Sequence, residues 1–240
     1  SQYSKDFNVL ATFTPLIPLF ASCFILFMGN GLTNTFFPLR MQLNGLGTDS
    51  IGLIISVYFI GMLLGAMYSK YLIKNVGHIR VFSGSVAVVA ASVLICALND
   101  DIIAWSLART IAGFCTAGTY AAMESWLSES STKETRGRVL AVYNATVIMG
   151  LFSGQFFIGL FEITSNDLFI IAGIIFASAL IPIALSKITA PEVLDVTSMS
   201  LFKLYKLSPL GVVSCFTAGA IYFSVISLLP IVGTHYGFEN

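Results

Sequence analysis

The 240-residue sequence has few charged side chains and no excess of either sign. Charged residues make up 10% of the chain, and 12 basic side chains balance 12 acidic ones. Soluble domains carry about 25% charged residues, so a chain that is 56% hydrophobic and this poor in charge could not cover a water-facing surface. The zero net charge also argues against nucleic-acid binding, which requires a strongly basic face. The sequence therefore predicts a protein that is solvated by lipid.

Cysteine and histidine are also scarce. All four cysteines fall in apolar stretches without C-x-x-C spacing, which is typical of small packing residues rather than of disulfides or metal ligands. The two histidines, His78 and His235, are predicted on opposite sides of the membrane, so they cannot share a ligand sphere. We expect neither a metal nor a cofactor.

Long apolar runs dominate the rest of the sequence. A membrane helix needs about 20 mainly apolar residues, and seven such windows are present. They run from about Thr14 to Pro38, Ile51 to Ile73, Arg80 to Leu98, Ile102 to Leu127, Val139 to Phe161, Leu168 to Ser186 and Pro209 to Gly233. Trp105 and Trp126, near the two ends of the fourth window, are predicted as interfacial anchors. The predicted fold class is an all-α polytopic membrane protein with seven transmembrane helices.

The few basic residues indicate the orientation of these helices. The loops after spans two, four and six hold Lys70, Lys74, Arg80, Lys133, Arg136, Arg138, Lys187, Lys203 and Lys206, whereas the alternate loops hold Arg40 and mostly acidic residues. Cytoplasmic loops retain Lys and Arg, so we expect a cytoplasmic N-terminus. This orientation is the opposite of that in heptahelical receptors and retinal proteins.

Loop lengths divide the chain into three parts. Residues 1–186 are predicted to form a six-helix half, 187–208 a polar cytoplasmic linker, and 209–240 the first helix of a second half. This layout is typical of transporters built from two six-helix halves, each made of inverted three-helix repeats. The odd number of spans predicts that the chain is a fragment of a longer protein. Gly61-x-x-x-Gly65 and Gly150-x-x-x-Gly154 favour close helix approach.

Two motifs carry a family resemblance. Arg109-Thr-Ile-Ala-Gly113 in span four and Glu129-Ser-Ser-Thr-Lys-Glu-Thr-Arg136-Gly137-Arg138 in the next loop resemble the R-x-x-x-G and E-x-x-P-x-x-x-R-G patterns of the major facilitator superfamily (MFS), with Thr132 in place of the usual Pro. The resemblance extends over the whole chain, to a bacterial branch without a well-defined substrate. It implies an MFS-type bundle in a bacterial inner (plasma) membrane.

The loop between spans two and three departs from the family pattern. The superfamily has an Asp there that helps to latch the cytoplasmic side. Counted forward from Gly65, its position is taken by Ser69, and counted back from Gly77, by Lys74, so the Asp is missing either way. We expect the carboxylate to come from Glu124 or Glu129 at the inner end of span four. The resemblance implies a cytoplasmic gate formed by these two residues together with Lys70, Lys74, Arg136 and Arg138.

Arg109 is the most informative single residue. An Arg inside a membrane helix costs at least about 2.5 to 3.5 kcal/mol near the centre, so it is tolerated mainly beside a cavity or a partner. Gly113, Tyr120 and Glu124 follow it at helical spacing, which favours a cavity wall. The alternative is an Arg that extends to the outer headgroups.

Three asparagines complete the predicted cavity. Asn30 and Asn34 in span one are one turn apart, and Asn144 lies in span five. Their amides can donate to and accept from a polar solute. Interhelical hydrogen bonds that help packing explain all three equally well.

Together these features predict secondary active transport of a small solute by alternating access, and not an enzyme. A proton is one candidate coupling ion, and we expect a monomer in the lipid bilayer. A non-transporting MFS-like scaffold or sensor subunit is the alternative, because such a protein would keep the fold without needing Arg109.

Overall fold

The computed structural model describes residues 13–98, 101–187 and 201–235. In these ranges the chain forms helices α1 (Ile17–Leu43), α2 (Thr48–Val76), α3 (His78–Leu98), α4 (Ile102–Glu129), α5 (Arg136–Gln155), α6 (Asp167–Ser178), α7 (Ile181–Ala184), α8 (Leu201–Leu207) and α9 (Pro209–His235). Single 3₁₀ turns precede α1 at Thr14–Leu16 and follow α5 at Ile158–Leu160. Of the predicted linker 187–208, residues 188–200 lie outside the described ranges, and the next seven form α8.

A helix lies at each of the seven predicted positions, with α6 and α7 sharing the sixth. Five stretches are long and apolar enough to cross a membrane: Thr14–Leu43, Thr48–Val76, His78–Leu98, Arg136–Leu160 and Asp167–Ala184. Helix α4 has the length, but it carries Arg109, Glu124 and several small polar residues that lower its hydropathy. Within α9, the apolar stretch whose residues are described is shorter and runs over Pro209–Tyr222.

Two differences from the predicted boundaries occur at prolines. Helix α1 does not end at Pro38 but continues to Leu43. Because proline has no backbone N–H, Pro38 cannot donate the helical hydrogen bond to the carbonyl of Asn34. The sixth predicted span is divided into α6 and α7, with Pro182 in the first turn of α7.

Glycines set the closest helix contacts. Helix α2 packs most extensively on α4, and α1 on α5. A methyl group at Gly61 or Gly65 of α2 would collide with the backbone of Thr110 or Phe114 in α4. The predicted close approach at this glycine pair is therefore confirmed.

The second glycine pair repeats this arrangement in α5. A methyl group at Gly150 or Gly154 would collide with the backbone of α1 at Phe24 or Met28. The pair α2/α4 thus corresponds to α5/α1, and the contact of α3 with α4 corresponds to that of α6 with α1. This is the pattern expected if α1–α3 and α4–α6 are two copies of one three-helix unit.

One end of the bundle joins the last turns of α1 and α3 to the loop before α6; we call it the acidic end. The Arg40 guanidinium donates to the carbonyl oxygen of Ile163 at 3.0 Å, to that of Thr164, and to Asn166 Oδ1 at 3.3 Å. Asn166 Nδ2 in turn donates to the Ala97 carbonyl at 3.0 Å. The opposite end, which holds the loops after α2 and α4, we call the basic end.

Aromatic rings fill the core near the acidic end. Trp105 packs edge-on against Phe37 and Phe169, with ring centres 5.7 Å apart in both pairs. Trp105 and Trp126 are 3% and 1% exposed, so the prediction that they are interfacial anchors is wrong. Large rings gain more contact inside this bundle than at its surface, and the cluster fixes the position of Phe37.

Candidate functional site

Arg109 lies inside the bundle, close to two aromatic rings. Its side chain is 7% exposed. The guanidinium carbon is 4.6 Å from the ring centre of Phe37 in α1 and 4.1 Å from that of Tyr58 in α2. A desolvated cation–π contact contributes about 2 kcal/mol, so the rings offset part of the cost of burying the charge. The side chain does not extend to the headgroups.

No acidic residue neutralises this cation within the described part of the chain. The contacts of the Arg109 side chain there are the two rings, without an ion pair or a hydrogen bond. A structural Arg in a membrane interior is normally paired with an acid or with backbone carbonyls. The N–H groups of Arg109 therefore keep their capacity to bind another group.

Arg109 lines a pocket enclosed by three helices. The lining residues are Asn34, Phe37, Pro38 and Met41 of α1, Ile55, Tyr58, Phe59 and Met62 of α2, and Arg109 and Tyr120 of α4. Two predicted cavity residues, Asn34 and Arg109, thus line the same pocket. The apolar lining was not singled out from the sequence, although its members recur at helical spacing in α1 and α2.

The other two predicted cavity residues lie outside this pocket. Asn30 is 3% exposed, and its Nδ2 donates to the Leu26 carbonyl at 3.3 Å. Asn144 is exposed, and its Nδ2 donates to the Leu140 carbonyl at 2.9 Å. Both amides bond to their own helix, and their contact with a solute stays a prediction.

At the basic end, Glu129 belongs to a buried polar cluster that sequence reasoning missed. Ser125 Oγ donates to Glu129 Oε1 at 2.7 Å, and His78 Nε2 lies 3.0 Å from Ser125 Oγ and 3.5 Å from Glu129 Oε2. The His78 side chain is fully buried. The cluster ties the first residue of α3 to the last turn of α4. The spacing of Ser125 and Glu129, one turn apart, was the available signal.

The remaining predicted gate residues lie on α2, α4 and α5. Glu124 is exposed and accepts a long hydrogen bond, 3.5 Å, from the Tyr143 hydroxyl of α5. The Lys70 ammonium lies 4.8 Å from the ring centre of Tyr71. The side chains of Lys74, Arg136 and Arg138 are exposed. Their joint action as a gate stays a prediction.

Comparison with known proteins decides the family. Residues 19–239 match the sequence profile of the Major Facilitator Superfamily. The chain belongs to this superfamily. This agrees with the two motifs in α4 and in the loop that follows it.

Curated relatives of this superfamily member carry transporter names. The "Uncharacterized MFS-type transporter YcaD" of Salmonella heidelberg (strain SL476) is 30% identical over 237 residues, which are 96% of this chain and 61% of the relative. The protein of the same name from Salmonella typhi is 29% identical over 231 residues, 94% of this chain and 60% of the relative. The chain spans about three-fifths of the length of these relatives.

A solved structure shows the same fold. This chain superposes with a TM-score of 0.66 on a crystal structure of another protein. That protein is described as a bacterial homolog of the human lysosomal transporter Spinster in an inward-facing and unoccupied conformation. The match covers 92% of this chain and 55% of the other at 15% identity. The predicted fold class, an MFS-type helical bundle, is confirmed. These relatives and this neighbour are described as transporters and not as enzymes.

Proposed function

We propose that the full-length protein containing this chain is a secondary active transporter that moves a small solute by alternating access. The chain would contribute the first six-helix half (1–186), the linker (187–208) and the first helix of the second half (209–240). In such transporters the two halves rock about a site near the bilayer midplane. The family, with relatives named as transporters, supports this proposal.

The observation that carries the proposal is the buried cation of Arg109, which has no acidic partner among the residues that the structure describes. Burying a charge without an acidic partner is unfavourable, so a protein that needed only a stable bundle would gain by an apolar residue there. A scaffold or sensor subunit without solute contact has no use for such a residue. A solute site does, because the N–H groups of Arg109 are held ready for an incoming group.

The basic end would form the cytoplasmic gate. The loop between α2 and α3 lacks the Asp of the superfamily. Glu129 is the first candidate to replace it, because Ser125 and His78 hold the Glu129 carboxylate beside that loop. Glu124 is the second candidate, since its side chain is exposed and its hydrogen bond from Tyr143 is long. Lys70, Lys74 and the arginines after α4 would complete the network.

The membrane setting follows from the same reasoning. We infer a bacterial inner membrane with the basic end in the cytoplasm, where Lys and Arg are retained. The protein would work as a monomer with a small solute, and a proton is one candidate coupling ion. No nucleic-acid partner is proposed, because the chain has zero net charge.

Solute flux through the full-length protein in proteoliposomes tests the proposal. A radiolabelled panel of organic acids, amino acids, sugars and organic cations is compared between wild type, Arg109→Ala and a matched control, Arg80→Ala, whose side chain is exposed at the basic end. We expect flux for at least one solute, lost in Arg109→Ala and kept in Arg80→Ala. Equal flux in all three proteins would refute the role of Arg109. No flux of any solute would favour the scaffold or sensor.

A further inference from the structure

The chemistry of the pocket narrows the class of solute. We infer that the Arg109 pocket binds monoanionic organic carboxylates that carry an apolar body. This inference rests on the proposed function, since it names what the transporter would move. It follows from three observations: guanidinium N–H groups without an acceptor among the described residues, the single charge, and the apolar lining.

The first observation concerns the donors of Arg109. Its guanidinium carbon lies over the rings of Phe37 and Tyr58, at 4.6 Å and 4.1 Å from the ring centres, and its N–H groups have no acceptor among the described residues. A guanidinium donates two parallel hydrogen bonds to the two oxygens of a carboxylate. A cation would be repelled, and a neutral amide would present only one acceptor oxygen.

The second observation is that the charge stands alone. Arg109 is the one charged residue among the described residues that line the pocket. A monoanion would form a neutral pair with it, whereas a phosphate monoester, with a charge of about −1.5 to −2 at pH 7, would leave excess negative charge in a low-dielectric site. The electrostatics therefore favour a carboxylate over a phosphate.

The third observation is the apolar part of the pocket lining. Ile55, Phe59 and Met62 of α2 face the pocket together with Met41 of α1. Such side chains suit an apolar body, and methionines adapt to its shape. The polar groups nearby, the Asn34 amide and the Tyr58 and Tyr120 hydroxyls, are too few to satisfy a sugar. The cavity that this chain lines has a volume of about 30 Å³, which is enough for a carboxylate group. The body of an aromatic or branched aliphatic acid would lie against the apolar lining and extend beyond this volume.

Equilibrium dialysis of the full-length protein in lipid nanodiscs, with empty nanodiscs as the blank, tests the inference. The labelled probe is phenylacetate, and the competitors are phenylacetamide, 2-phenylethylamine, phenyl phosphate, and the aliphatic pair 4-methylpentanoate and 4-methylpentanamide. Charge-assisted hydrogen bonds are stronger than neutral ones, so each acid should bind about tenfold or more tightly than its amide. We expect the amine and the phosphate to compete weakly.

Variants connect this preference to the residue. In Arg109→Gln the acid-to-amide ratio should fall to about one, Arg109→Lys should keep part of it, and Arg80→Gln should keep all of it. Equal binding of acids and amides by wild type, no saturable binding of either acid, or an unchanged ratio in Arg109→Gln would overturn the inference. If Arg109→Gln does not fold, the ranking of ligands on wild type still decides.

The two proposals fail in different ways. Flux of a sugar or of a cation without acid preference would overturn the carboxylate class while transport stands. Acid preference without flux would overturn transport while the binding site stands. A carboxylate supplied to Arg109 by the second half would abolish the acid preference of wild type and so count against the inference.

Discussion

Replacing Gly65 by alanine should separate α2 from α4. A Cβ atom at Gly65 would lie 2.9 Å from both the Cα and the carbonyl carbon of Phe114, where ordinary contact begins at 3.4 Å. These are backbone atoms that cannot rotate away, so the helices must move apart by about 0.5 Å or more. Overpacking of this kind costs about 1–3 kcal/mol, and alanine returns up to about 1 kcal/mol of helix propensity.

Gly52 in the same helix provides the matched control, because a Cβ atom there would meet nothing within 4 Å. Gly52→Ala should be neutral or stabilising by up to about 1 kcal/mol. The gap between the two variants is then the packing cost alone, about 1–3 kcal/mol. Unfolding by a denaturing detergent in mixed micelles, followed by circular dichroism, measures both free energies. Equal stability of the two variants would refute the close contact of α2 with α4.

Three further predictions concern the ends of the bundle. Arg40→Gln should lower the free energy of unfolding by about 2–3 kcal/mol, because charged hydrogen bonds to loop carbonyls are lost; unchanged stability in the same detergent titration would contradict this. Lys133→Cys should react with an impermeant thiol reagent from the cytoplasmic face of the membrane, and Asp101→Cys from the outer face. The reverse pattern would overturn the proposed orientation. Glu129→Gln should shift the inward/outward accessibility of reporter cysteines more than Glu124→Gln does, because Glu129 is the carboxylate held at the α2–α3 loop. No change in either variant would refute a latch role for both glutamates.

The helices and the two ends of the bundle could be predicted because they depend on properties of single segments. Length and hydropathy define a membrane helix, and the sorting of Lys and Arg among loops distinguishes the basic end from the acidic end. The glycine pair at Gly61 and Gly65 was also visible, since small residues one turn apart indicate close approach. The helix that lies against this pair could not be predicted, because sequence does not indicate how a membrane helix is rotated about its axis.

The same limit explains the outcome at the candidate site. Arg109 and Asn34 could be picked out because polar groups are unfavourable in lipid, but the contact of Arg109 with Phe37 and Tyr58 depends on three helices meeting. Asn144 was grouped with them by its polarity, yet its amide bonds to its own helix. The contact of His78 with Glu129 joins residues far apart in sequence, and nothing local to either residue predicts it.

The measurement that tests the central claim most directly is the accessibility of the Arg109 pocket from the two sides of the membrane. Asn34→Cys in the full-length protein, in a background where the exposed Cys215 is replaced by Ser, places a thiol on the pocket wall. Right-side-out and inside-out vesicles are each treated with an impermeant maleimide. Alternating access predicts labelling of Asn34→Cys from both faces, beyond that of the parent protein. Labelling from one face only would contradict it.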